Sequence, residues 1–267
     1  MVQLNINLAE AALIVSTHEY PDLDIKSYLS RLDAYADVIR TRLPLQPSHW
    51  QIIEGMNHYL FEDLGFVGNI DDYYDPRNSY LNDVIDRRLG IPITLGLIYM
   101  EIGQRLGLSI KGISFPGHFL VKCAVSTSGV VIIDPFSRGN VLSNAELDMR
   151  LRYVFGNNAP SIDSMPELLR SASKLDVLTR ILYNLKTIYY NRNNFEKALS
   201  VANQLIKLRP DISSELRDRG HIYRALECFQ SAMRDYYLYL EREPDAADQE
   251  EIRILVVNLQ KESTAVH

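Results

Sequence analysis

A 34-residue period near the C-terminal end most narrows what this chain can fold into. Phe195, Ala198 and Pro210 recur one period later as Phe229, Ala232 and Pro244, and Tyr189 recurs as Tyr223. Apolar residues between these landmarks return at three- and four-residue spacing, so each period reads as a pair of helices. The small side chains of Ala198 and Ala232 let the two helices of a hairpin approach closely, and each proline closes its unit before the next helix. The position held by Gly220 in the second copy is held by Lys186 in the first, so the first copy departs from the small-residue pattern. Two copies are fewer than the roughly three an independent stack requires. The segment is therefore expected to pack on the middle of the chain or to continue through "DQEEIRILVVNLQ".

Upstream the pattern changes twice. From "NLAEAALIVSTHEYPDLDIKSYLSRLDAYADVIRTRL" to "HWQIIEGMNHYLFEDLGF" the spacing is helical, with Pro21, Asp22 and Asp24 punctuating the first gap. The turn-rich "GNIDDYYDPRNSY" then leads into a helical "LNDVIDRR" and a helix from about Ile91 to Leu106. Three short runs, "KGISF", "HFLVKCAV" and "VVIIDPF", read as strands, with "STSG" as the hairpin connection between the last two. From about Leu168 onward the pattern is helical again. The expected fold is α+β: mainly helical, with a small antiparallel sheet beside one central helix, followed by helical hairpins. The expected domains are residues 1–161 and 162–267.

Composition removes several classes of function. A net charge of -6 over 267 residues gives no reason to expect a nucleic-acid backbone as partner. The opening "MVQLNINLAEAALIV" lacks the basic start, long apolar core and cleavage site of a secretory signal, and no run approaches the roughly 18 apolar residues of a membrane span. A soluble, cytoplasmic protein is expected. Cys123 and Cys228 are the two cysteines; with no CxxC and no histidine cluster, neither a disulfide framework nor a metal site is expected. No cofactor is expected either.

The chemistry-bearing residues lie in the middle region. His118 follows a glycine, and Asp134 opens "DPF" further on. Read plainly, His118 is a core histidine and Asp134 caps a turn. Read together, an aspartate bonded to a histidine fixes the ring's tautomer, as in a catalytic triad. This region resembles the transglutaminase-like superfamily, with its papain-like core: Gly-x-Cys at a helix start, an apolar helix ending in Leu-Gly, then Gly-His on one strand and Asp on the next. The resemblance puts the first glycine on Gly90, the Leu-Gly on Leu106 and Gly107, and the pair on His118 and Asp134. The nucleophilic cysteine falls on Pro92. Proline has no nucleophile, but it favours the first turn of a helix because its missing N–H would be unpaired there.

Two substitutes for the nucleophile are worth weighing. Thr94 lies two residues on, about 200° around the helix from the cysteine position, and a threonine needs a strong adjacent base. It is a weak candidate. Cys123 is five residues from His118, which on one strand would place the two on opposite faces, so it reads as a small buried hydrophobe. Before the helix, Arg77, Asn78, Asn82 and Arg88 are binding candidates. On a helix Asn78 and Asn82 share a face, as do Asn82 and Asp86. One reading makes this a solvated polar helix start. The other places Arg77 or Arg88 in the pocket, paired with a carboxylate or a peptide terminus.

The repeat resembles the tetratricopeptide repeat. Across nearly the whole chain, "LAEAALIV", "EYPDLD", "YLFEDLGFVGNIDDYYDPRNSYLNDVIDRRLGIPITLGLIYMEIGQRLGL", "GISFPGHFLVK" and "IDPFSRG" resemble the bacterial Sir-B invasion-regulator family, which joins such a core to such repeats. Three classes of function follow. The first is a pseudoenzyme that binds a protein or peptide partner. The second is a residual hydrolase or peptidase-like enzyme in which His118 and Asp134 activate water or Thr94. The third is a regulator acting indirectly on transcription, since no basic helix-turn-helix is present.

Overall fold

Three helices open the computed structural model, which describes residues 7–126 and 129–265: α1 (Leu8–Ser16), α2 (Ile25–Arg42) and α3 (His49–Asn57). The side chains of Asn7, Asp24 and Ser48 accept backbone N–H groups at their starts, so each helix begins where a short polar residue can satisfy a donor. A π-helical turn, His58–Asp63, follows. Strands β1 (Val67–Gly68) and β2 (Leu89–Gly90) pair in parallel on either side of α4 (Leu81–Arg87).

Helix α5 (Pro92–Arg105) is buried at every position from Pro92 to Gly103, as a sequence apolar all the way round requires. It lies against an antiparallel sheet of order β3 (Ile110–Ile113), β4 (Leu120–Ser126), β5 (Gly129–Asp134) and β6 (Asn140–Leu142). Two glycines set the approach: an added Cβ at Gly96 would lie 2.7 Å from the Phe119 ring, and one at Gly103 3.1 Å from Ile110. Leu120, Ile132 and Leu142 pack with Leu147 and Leu151 of α6 (Asn144–Phe155) and with Ile162.

The three expected strands and the central helix are present within a residue or two of their expected places. Thr127 and Ser128 of the "STSG" connection lie outside the described residues. One expectation fails: His118 is not on β4. Gly117 has a φ of +68° and the His118 N–H donates to the Phe115 carbonyl, a tight turn that ends before the strand begins. The face-parity comparison with Cys123 therefore has no basis, although Cys123 is fully buried and unpaired.

The chain divides into two compact units between Ile181 and Leu182. Residues 169–172 are tied to the sheet: Ala172 N–H donates to the Gly112 carbonyl, Ser171 bridges Ile113, and the Lys122 ammonium donates to the Leu169 carbonyl.

Helix α7 (Lys174–Asn191) leads into the second unit, followed by α8 (Phe195–Leu208), α9 (Ser214–Ala225), α10 (Phe229–Arg242) and α11 (Gln249–Ala265). Ala198 and Ala232 are fully buried, and a Cβ on Gly220 would sit 2.5 Å from the Tyr236 ring. Ile252, Val256 and Leu259 of α11 complete the core around Tyr236, as the sequence pattern of "DQEEIRILVVNLQ" implied. Lys186, the departure from the small-residue pattern, is buried and reaches Glu215 at 2.8 Å and Asp218 at 2.7 Å. It joins α7 to α9 electrostatically where the second copy uses close packing.

Candidate functional site

The Pro116–His118 turn and the end of β5 bring two side chains together. His118 Nε2 lies 2.9 Å from Asp134 Oδ1. Asp134 is fully buried and caps the 3₁₀ turn Pro135–Ser137: Oδ1 accepts the Phe136 N–H at 3.0 Å, and Oδ2 accepts the Ser137 hydroxyl at 2.7 Å. Arg150 of α6 donates to the same Oδ2 at 2.6 Å. Burial opposes ionisation of this carboxyl, but the hydrogen bond and charge of His118, the Ser137 hydroxyl and the Arg150 guanidinium outweigh it and hold the pKa down to about 2. An ionised Asp134 accepts, so His118 carries its hydrogen on Nε2. Nδ1 of His118 has no hydrogen-bond partner among the described residues and is not a buried atom, and the side chain keeps 16% of its surface.

Helix α5 packs against the turn that Asp134 caps, and Pro92 is its first residue. The helix and the sheet that carries Asp134 thus meet at this turn, and the first residue of the helix has neither donor nor nucleophile. Thr94 does not take over the role. Its hydroxyl is fully buried, accepts the Ile91 N–H at 3.1 Å and donates to the Asn78 carbonyl at 2.8 Å. It is a cap that holds the helix start to the preceding loop.

The polar segment before α4 is not a solvated helix start. Asp75, Asn78, Ser79 and Asn82 are all buried. Asn78 lies in a 3₁₀ turn, Pro76–Asn78, so it shares no helix face with Asn82. Its amide donates to the carbonyls of Asp72 and Tyr73, and its oxygen accepts from Asn69. Arg77 and Arg87 both pair with Asp75, whose carboxyl is held low against burial by the hydrogen bonds of Arg77 and the charge of Arg87. Arg77 and Asn78 therefore stabilise the loop. Asn82 is buried with an Oδ1 that has no partner among the described residues. Arg88 ends α4 at a φ of 60°, its side chain exposed and its carbonyl accepting from Val67.

Several residues of the site escaped the sequence reading. Ser137 was legible in principle, since a serine three residues after an aspartate suits a capped turn. Arg150, sixteen residues beyond Asp134 on another helix, left no local signal. Neither did the aromatic contacts: the Phe136 ring meets His118 edge-on at 5.7 Å and Tyr73 at 6.4 Å. Phe136 can lie there because Gly68 has no side chain; a Cβ would be 2.4 Å from the ring.

An apolar helix packed on an antiparallel sheet, with a His–Asp pair at the end of an internal strand, fits a transglutaminase-like core, and the helical hairpins beyond it are of tetratricopeptide type. The chain belongs to the transglutaminase-like superfamily, whose pattern matches residues 26–183, with a tetratricopeptide-repeat pattern over residues 185–256. A UPF0162 protein of Xylella fastidiosa (strain Temecula1) is 39% identical, covering 97% of this chain and 92% of its own. The UPF0162 protein of Vibrio cholerae is 31% identical over 72% of this chain and 70% of its own. The UPF0162 protein YchA of Escherichia coli K12 is 28% identical, covering 93% and 90%. No solved structure matches the chain.

Among the described residues, no helix is long and apolar enough to cross a membrane, and no group of three ligating side chains could hold a metal ion.

Proposed function

We propose that this protein is a protein- or peptide-binding module of regulatory type, acting in the cytoplasm, built on a transglutaminase-like core that has lost its nucleophile. One observation carries the reading: Pro92 occupies the first turn of α5 while the His118–Asp134 pair stays assembled at 2.9 Å. Without the thiol no covalent intermediate can form, and a triad stripped of its nucleophile loses most of its power. Membership of the Sir-B invasion-regulator type family is part of the same proposal, supported by the order of the quoted motifs. The tetratricopeptide segment supports the binding half. It presents a groove of about 230 Å³ lined by Tyr190, Asn191, Asp218, His221 and Ile222, mainly apolar with a few polar groups, a surface suited to a peptide.

The alternative is a residual hydrolase in which the free Nδ1 of His118 activates water, and the intact pair favours it. Affinity capture from a bacterial lysate with full-length wild type, His118→Ala and Asn191→Ala separates the readings. A partner kept by wild type and lost in either folded variant supports binding and places it in the core or the groove. Cleavage or modification of a captured protein by wild type but not by His118→Ala would overturn the pseudoenzyme reading.

A further inference from the structure

The half-buried arginines Arg31, Arg87, Arg105 and Arg150 of the first unit each meet a carboxylate. Arg180 does not. It is half-buried on α7, and its contacts among the described residues are the Phe119 ring, 6.0 Å from the guanidinium carbon, and the nearby Tyr73 phenol. None of its nitrogens is a sealed, unpartnered atom, so its donors are open to solvent.

Phe119 follows His118 directly, and Tyr73 meets Phe136, which meets His118. Arg180 is thus linked to the His–Asp pair through Tyr73 and Phe136. Asp134 cannot serve it, because its oxygens are already taken by His118, the Phe136 N–H, Ser137 and Arg150. Desolvation pushes the Arg180 pKa down, with only the Tyr73 phenol opposing, whereas the shifted arginines that have carboxylate partners move up.

A guanidinium taken partly out of water without a counter-charge is costly, and a bidentate anion is the group that relieves it. The geometry points to Arg180, beside Tyr73 and Phe119, as the receptor for a carboxylate on the partner, a chain terminus or an acidic side chain. This rests on the binding reading above and gives it a ligand chemistry: a carboxylate held beside the aromatic neighbours of the His–Asp pair.

The test uses full-length protein with isotope-labelled arginine and three probes at millimolar concentration: acetyl-trialanine with a free carboxylate, its C-terminal amide, and an amide-capped peptide with an internal glutamate. Either carboxylate probe is expected to move the Arg180 Nε–H resonance while the plain amide leaves it in place; the probe that acts identifies a terminus or a side chain. Arg180→Met is expected to weaken that probe about tenfold to a hundredfold. Arg180→Lys, which keeps the charge but loses the planar fork, should fall between.

No response to either carboxylate, equal response to the amide, or full affinity in Arg180→Met overturns the inference. Should Arg180→Met fail to fold, the wild-type resonance still decides. A silent Arg180 in a protein whose partner is lost in His118→Ala refutes the inference and leaves the functional reading standing. A responsive Arg180 in a protein whose partner tolerates both His118→Ala and Asn191→Ala does the reverse.

Discussion

Asp134→Asn removes one charge from a buried site and nearly preserves its shape. The carboxyl titrates at about 2 in the fold against an ordinary 3.8, so ionised Asp134 contributes about 2.5 kcal/mol to stability at neutral pH, at 1.36 kcal/mol per pH unit. Because the folded pKa is the lower, the contribution is complete above about pH 5 and is lost as pH falls through 3.8 toward 2. By this linkage roughly 1 kcal/mol should be gone at pH 3 and the rest by about pH 1.

The assay is urea unfolding followed by Trp50, the chain's single tryptophan, which lies in α3 of the first unit. With an m-value of about 2 kcal/mol/M, the wild-type midpoint should exceed that of Asp134→Asn by about 1 M or more at pH 7. The gap should narrow by about 0.5 M at pH 3. Other depressed carboxyls, such as Asp75, titrate in both proteins and cancel in the difference. A gap that is the same at pH 7 and pH 3 would refute the linkage.

Three further outcomes are expected. Lys186→Ala should destabilise the second unit by about 3 kcal/mol by leaving Glu215 buried without its counter-charge, read as a fall in helical melting temperature; Lys186→Ala/Glu215→Ala should recover part of the loss. Gly220→Val should cost about 1–3 kcal/mol through overpacking against Tyr236, whereas the same change at exposed Gly107, where nothing lies within 4 Å but φ is +88°, acts through backbone strain and leaves the second unit's melting unaltered. Pro92→Cys in a Cys228→Ser background should add one thiol that iodoacetamide modifies at neutral pH. Its rate should drop when His118 is also replaced by Ala, because a helix N-terminus and a nearby imidazole favour the thiolate. A rate indifferent to His118 would mean that the pair does not serve the helix start.

Much of this site could be read in the chain before any folding was known. The transglutaminase-like resemblance pairs His118 with Asp134 through a pattern of glycines, an apolar helix and a Leu-Gly turn, and its register puts Pro92 at the nucleophile's position. What surrounds the pair was illegible. Arg150, Tyr73 and Arg180 come from three different elements, and no local period records which helix face meets which loop. The polar loop before α4 misled for a related reason. Asp75 and Asn78 look like a solvated helix entrance, yet burial is decided by what packs over a segment, and here hydrogen bonds to Arg77, Arg87, Asn69 and Thr94 take the place of water.

Short-range sterics and spacing were enough to determine most of the helices (though not α6), the three longer strands, the repeat and the inert residue at the start of α5, because those properties depend on residues a few positions apart. The tertiary structure alone decided that Asp134 is ionised and enclosed, that Lys186 is a counter-ion rather than a flaw in the repeat, and that Arg180 stands half-desolvated with no acid beside it. Each of these depends on which charges lie within a few ångströms after distant segments meet, and Coulomb energy at that range changes several-fold with burial.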